Sequence, residues 1–164
     1  MNPRIQAALL EQANHELFAA HSYQALALWC AENAFGGFAE FFRNQAAEER
    51  EHADKFLDHL LDRGIYPELG AIEKPRTAYA SLIEVAEQAQ TLERINSENI
   101  RRCYEVALEV KDYDSHSMLL WFISEQVEEE AWAGTMVTLT KRCECPGAQL
   151  NLDRHIVKTL ASHD

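Results

Sequence analysis

Residues 64–80 read GIYPELGAIEKPRTAYA, and this stretch decides how the helices around it are arranged. It carries two glycines and two prolines, and its apolar residues show no helical period. About 17 extended residues can span about 55 Å, whereas a helix of about 28 residues is only about 42 Å long. The stretch can therefore cross the length of a helical bundle, so that the helices before and after it run parallel.

Two amphipathic segments precede this crossover and two follow it. The connections within each pair are short, which makes the helices of each pair antiparallel neighbours. Glycine and proline are scarce in the chain as a whole, with six and four residues, and this composition favours helix over sheet. We therefore predict an all-α fold, a four-helix bundle with one long crossover. The predicted helices cover about residues 3–33, 37–63, 81–110 and 114–142.

Local signals mark the ends of these helices. Gly36-Gly37 and Gly64 are typical of glycine stop signals after the first and second helices. Ser81 followed by Glu84 predicts a capping box at the start of the third. A short fifth helix is expected over about residues 148–162, with an apolar stripe. Because so short a helix is marginal alone, it must dock on another surface.

The length and composition of the chain limit how many domains it forms and which partners it can bind. A chain of 164 residues is expected to form one domain, residues 1–164. Its formal net charge of −12 argues against a nucleic-acid partner and favours cations. The sequence shows no signal peptide and no run long enough to span a membrane, so we expect a cytoplasmic protein without a membrane partner. The four cysteines form no disulfide framework and are expected to be free thiols, although a redox or weak metal-binding role for Cys143 and Cys145 stays open.

The first three helices carry polar residues where their apolar seams predict core side chains. A seam advances in steps of three and four residues. It passes through Glu16 in the first helix, through Glu49 and His52 in the second, and through Glu93 in the third. Each glutamate lies about 12 or 13 residues into its helix, so the side chains should converge near the middle of the bundle.

These positions predict a metal site. A lone buried carboxylate is heavily penalised unless it is paired or binds a cation. Glu49 and His52 are three residues apart and share a helix face, so both can reach one ion. A site rich in carboxylates with one histidine suits iron or manganese and admits zinc. Two divalent ions would balance about four carboxylates, with Glu49 as the natural bridge and dioxygen binding between them.

The sequence leaves open which face of the fourth helix points to the core and whether the buried acids bind a metal. In the fourth helix one seam passes through Glu125 and Glu128, and another through Gln126 and Glu129. The alternative to a metal site is a plain bundle in which the acids are paired by side chains. The candidate partners are Tyr23 or His52 for Glu16, and arginines for the other acids: Arg43, Arg50 and Arg94.

Four motifs resemble the non-haem ferritins of prokaryotes, and the resemblance covers about 160 of the 164 residues. They are NHELFAAHSY around Glu16 and Tyr23, AAEEREHADK around Glu49 and His52, TLER around Glu93, and WFISEQVEEE over residues 121–130. The resemblance implies a ferritin-like bundle with a ferroxidase centre, in which two iron ions are oxidised. It assigns Glu16, Glu49 and His52 to the first iron site, and Glu93, Glu129 and the bridging Glu49 to the second, with Gln126 close by. It also matches Glu48, Glu125 and Glu128 to a third iron site and Tyr23 to an electron donor.

The resemblance further implies Fe(II) and dioxygen as partners and a hollow homo-oligomeric shell of 24 subunits that stores ferric mineral. The short last helix would line the four-fold channels of this shell. Haem is not expected, because Arg50 stands where haem-binding relatives place a methionine. The fourth helix lacks the second E-x-x-H motif of rubrerythrin-like proteins. The rival function is nevertheless a rubrerythrin-like di-iron oxidase or peroxidase that stores no iron.

Overall fold

Five α-helices make up the computed structural model, which describes residues 1–160. No strand occurs in this range, and none of the helices in it combines the length and apolar character needed to cross a membrane. The all-α prediction is confirmed, but the predicted end of the fifth helix, Ser162, lies outside the described residues. The helices are α1 (Pro3–Glu32), α2 (Gly36–Asp62), α3 (Leu82–Glu109), α4 (His116–Arg142) and α5 (Pro146–Leu160), with a short 3-10 turn at Tyr113–Ser115 before α4.

The connector between α2 and α3 runs along α1, as the predicted crossover requires. Residues 65–79 contain no helix or strand. Near the start of the connector, the Gly70 amide donates to Asn14 Oδ1 at 3.2 Å. At its end, Trp29 Nε1 donates to the Tyr79 carbonyl at 3.2 Å. Because Asn14 and Trp29 lie four turns apart on α1, the connector crosses much of the bundle and α3 starts at the same end as α2.

The end of α1 differs from the prediction. The residue with a left-handed backbone is Ala34, with φ 62°, and no glycine occupies this position. The Phe35 amide closes the turn by donating to the Cys30 carbonyl at 2.8 Å. Gly36 is already the first residue of α2. The second stop signal is confirmed, since Gly64 has φ 73° directly after α2.

Gly37 serves packing against α5. A Cβ atom at this position would lie 1.8 Å from the Asp153 carbonyl oxygen, so only glycine allows this approach. Asp153 Oδ1 accepts a hydrogen bond from the Phe38 amide at 3.0 Å and supplies the cap that α2 lacks at its own N-cap residue. Ile156 and Leu160 bury their side chains in the apolar core that also contains Phe38. The fifth helix therefore docks on α2 of its own chain.

Two apolar cores occupy the two ends of the bundle. One is built around Tyr23, Phe38, Phe42 and Met136. The other is built around Ile5, Leu9, Phe56, Ile100 and Phe122. Between them lies a layer of buried polar side chains contributed by all four long helices: Gln12, Glu16, Gln45, Glu49, His52, Glu93, Asn96, Ser97, Gln126 and Glu129. This polar layer places the candidate site at mid-bundle, as the depths of the seam acids predicted.

Candidate metal centre

Four glutamates, one from each long helix, are buried in the polar layer. Glu16, Glu49, Glu93 and Glu129 are between 0% and 4% exposed. Within residues 1–160, no arginine or lysine forms an ion pair with any of them. Removing a carboxylate from water without a cation is costly. The plain-bundle alternative, with arginines as partners, therefore has no support in the described part of the chain.

The buried acids form two groups that share one residue. Ligand atoms of Glu16, Glu49 and His52 all lie within 4.8 Å of one another. The same holds for Glu49, Glu93 and Glu129. His52 Nδ1 lies 3.2 Å from Glu49 Oε2. Because Glu49 belongs to both groups, it is placed to bridge two ions.

Amide side chains hold the first group in place. Gln12 Nε2 donates to Glu16 Oε1 at 2.8 Å, and Asn96 Nδ2 donates to Glu16 Oε2 at 3.0 Å. Gln12 also donates to Asn96 Oδ1 at 2.6 Å, which ties α1 to α3. Gln12 and Asn96 stand on the predicted seams, and their polarity there was the signal that could have identified them. The proposed partners of Glu16 in a metal-free bundle, Tyr23 and His52, do not donate to it. The Tyr23 hydroxyl donates to Glu93 instead.

The rotation of α4 decides which of its two candidate seams faces the core. Gln126 and Glu129 face the core at 2% and 4% exposure, whereas Glu125 is half-buried and Glu128 is exposed. Gln126 Nε2 donates to Glu93 Oε2 at 3.1 Å and to Ser97 Oγ at 3.2 Å. Its Oε1 atom has no hydrogen-bond partner among residues 1–160. A buried amide oxygen without a donor fits a site that takes a cation.

The structure brings together only two of the three residues predicted for a third iron site. Glu48, Glu125 and Glu128 all line one cavity of about 580 Å³ between α2, α4 and α5. However, the ligand atoms that gather within 4.8 Å are those of Glu48, Glu125 and His52, without Glu128. The sequence pattern does not indicate that His52 belongs to two groups of ligand atoms. Spacing along α2 could not reveal it, because Glu125 approaches from another helix.

Burial and mutual repulsion set the protonation of the centre. Burial raises the pKa of Glu93 to about 7. Burial also raises the pKa values of Glu16, Glu49 and Glu129, and at Glu49 and Glu129 neighbouring carboxylates add to this effect. Burial lowers the pKa of His52 to about 4, so its ring is neutral near pH 7 and can offer a lone pair. The centre is thus short of positive charge, and a divalent ion would supply it.

Anaerobic Fe(II) binding is expected to release more protons at pH 6 than at pH 8. At pH 6 the Glu93 carboxyl group still holds its proton, which a bound cation displaces. At pH 8 the carboxyl of Glu93, with its pKa of about 7, has already lost its proton. Calorimetry in two buffers with different ionisation enthalpies measures this release, and Glu93→Gln should lower it at pH 6. Equal release at both pH values would contradict the assigned protonation.

Comparisons with known proteins agree on one family. The family model described as a ferritin-like domain matches residues 6–143. The chain is 39% identical over 142 residues to a bacterial non-heme ferritin of Staphylococcus saprophyticus, which covers 87% of this chain and 85% of the relative. A bacterial non-heme ferritin of Staphylococcus aureus is 39% identical over 135 residues, covering 82% and 81%. Among solved structures, an open-pore ferritin from the archaeon Archaeoglobus fulgidus has a TM-score of 0.93 and 29% identity, covering 99% of each chain.

Proposed function

The chain belongs to the ferritin family, and on that premise we propose that it oxidises Fe(II) at its mid-bundle centre and stores the Fe(III) as mineral. Fe(II) is then both the substrate and the cargo. The observation that carries this proposal is Glu49, whose carboxylate belongs to two buried ligand groups at once. A single buried carboxylate shared by two groups suits two ions held side by side.

The ligand set balances the charge of two Fe(II) ions. Four carboxylates contribute four negative charges, and the neutral ring of His52 adds a nitrogen ligand without charge. Glu16, Glu49 and His52 would hold the first ion, and Glu49, Glu93 and Glu129 the second, with Gln126 beside them. Each Fe(II) gives one electron to dioxygen, and the protons displaced from the carboxyl groups leave when the ions bind. Hydrogen bonds from Gln12 and Asn96 keep the Glu16 carboxylate in place throughout.

Two further roles belong to the same proposal. The Tyr23 hydroxyl donates a hydrogen bond to Glu93, and burial raises the pKa of Tyr23 well above the usual range, so the phenol stays protonated beside the centre. This phenol can supply an additional electron to dioxygen, and its proton would then pass to the Glu93 carboxylate that accepts its hydrogen bond. Glu48 and Glu125 would hold a third iron ion at the cavity that adjoins the pair, with His52, whose ligand atoms lie near theirs, or with Glu128, which the resemblance assigns to this site.

Storage requires an enclosed space, which we propose is a shell of 24 copies of this chain. Such a shell would have a mass of about 450 kDa, which is 24 times 18.7 kDa. With a net charge of −12 on each copy, the shell would attract Fe(II). No haem takes part in this proposal, and we place the shell in the cytoplasm.

Aerobic iron loading tests oxidation and storage together. The purified protein receives Fe(II) in air, and gel filtration with absorbance detection then follows protein and ferric iron. We expect the protein and the ferric iron to elute together near 450 kDa, with many more iron atoms than binding sites. If a small oligomer oxidises iron but releases it, the rubrerythrin-like alternative replaces this proposal.

A further inference from the structure

A lysine stands beside the cluster of Glu48, His52 and Glu125, which we call the outer cluster. The Lys55 ammonium lies over the ring of Trp121, 4.5 Å from its centroid. The Trp121 ring in turn meets the His52 ring nearly edge-on, with 5.6 Å between their centroids. Lys55 is one helical turn beyond His52 on the same face of α2. Lys55 is exposed to solvent, and its contact with the Trp121 ring places its ammonium at the edge of a group that can bind a cation.

The charge of Lys55 acts on every member of the outer cluster. Burial raises the pKa values of Glu48 and Glu125, and the Lys55 ammonium opposes this rise at both. At His52, burial lowers the pKa to about 4, and Lys55 acts in the same direction. Yet within residues 1–160 Lys55 forms no ion pair with either carboxylate. The Lys55 ammonium is near enough to affect the pKa values of the cluster, but its direct contact is with the Trp121 ring.

We propose that Lys55 is a tethered cation that weakens Fe(II) binding at the outer cluster, so that ions pass to the buried pair instead of remaining there. This inference rests on the proposed function. A fixed positive charge next to two carboxylates reduces the net attraction that a divalent ion meets. The aromatic ring stabilises the ammonium at this distance, because a cation over the face of tryptophan is attracted by its quadrupole.

The buried pair should be much less affected by this lysine. Its carboxylates are almost fully buried, and two ions binding there meet four negative charges at close range. The outer cluster has two half-buried carboxylates and one histidine that it shares with the pair. The single positive charge of Lys55 therefore reduces the electrostatic attraction for Fe(II) by a larger fraction at the outer cluster than at the buried pair. Lys55 acts as a positioning residue for iron and does not contact the reacting pair.

Anaerobic Fe(II) titration of three variants tests the inference. Lys55→Gln removes the charge, Lys55→Arg keeps it, and Lys74→Gln removes the same charge from an exposed position on the connector. Lys55→Gln is expected to raise the affinity for the third Fe(II) on the order of fivefold and to leave the first two ions within about twofold. Lys55→Arg and Lys74→Gln are expected to bind like the wild type.

The outcomes separate this inference from the function on which it rests. Equal third-ion affinity in the wild type and Lys55→Gln overturns the role of Lys55 alone, provided that the wild type binds and oxidises the first two ions. A wild type that binds no Fe(II) at mid-bundle overturns both proposals. If Lys74→Gln raises the third-ion affinity as much as Lys55→Gln, net charge explains the effect and the tethered cation is wrong.

Discussion

Replacing Glu49 with glutamine is expected to lower the initial rate of Fe(II) oxidation at least about 100-fold, because loss of even a supporting residue typically costs 10- to 100-fold in a metal site. Glutamine keeps the size of the side chain but cannot bridge two cations as a carboxylate does. Both ligand groups contain Glu49, so both ions lose a ligand in one substitution. Stopped-flow absorbance of ferric iron after mixing with aerated buffer measures the rate.

The same substitution should leave the metal-free protein at least as stable as the wild type. Burial and the neighbouring carboxylates raise the pKa of Glu49 well above its usual range, so this side chain destabilises the metal-free fold when it is ionised. Glu51→Gln is the matched control, since Glu51 is exposed on the same helix. An unchanged initial rate in Glu49→Gln would show that the pair is not bridged by this residue.

Replacing Phe122 with alanine is expected to cost about 3–5 kcal/mol of the free energy of unfolding, the usual range for a fully buried phenylalanine. Phe122 is 0% exposed and stacks on Phe56 with 4.2 Å between ring centroids. It also meets the His52 ring edge-on at 5.5 Å. The substitution therefore opens a cavity between the apolar core and the candidate site. Urea unfolding at equal protein concentration measures the loss.

Leu120→Ala provides the control for this loss of stability. Leu120 lies on the same helix but is 50% exposed, so its truncation is expected to change stability by less than about 0.5 kcal/mol. Because Phe122 also fixes the His52 ring, Phe122→Ala should slow Fe(II) oxidation in molecules that remain folded. Similar unfolding free energies for the two variants would contradict the core described here.

Much of the fold was predictable because its signals are local. The helix periods and the length of the segment 64–80 already favour a bundle with one crossover. The contacts that hold the crossover on α1 were not predictable, since Asn14 and Trp29 give no sign in sequence of bonding to it. Gly37 shows a related limit. A glycine stop signal and a glycine that allows close approach look alike until the neighbouring α5 is placed.

The candidate site was predictable where the seams are unambiguous. Glu16, Glu49 and Glu93 lie on seams that are apolar toward both ends of the bundle, and each faces the core. On α4 the run of acids fits two seams, so only packing decides its rotation. The hydrogen bonds from Gln126 on α4 to Glu93 and Ser97 on α3 provide that information. The resemblance assigns Glu129 to the pair; the structure buries this residue on the core face of α4, and its role as a ligand stays a prediction.

Anomalous diffraction at the iron edge from crystals soaked anaerobically in Fe(II) would show whether Glu49 bridges two iron ions. We expect two strong peaks in each subunit at mid-bundle, about 3.5–4 Å apart as in other two-metal sites. Glu49 should contact both peaks, with Glu16 and His52 at one and Glu93 and Glu129 at the other. A bundle without iron between these side chains, or with a single ion that Glu49 does not share, would contradict this expectation.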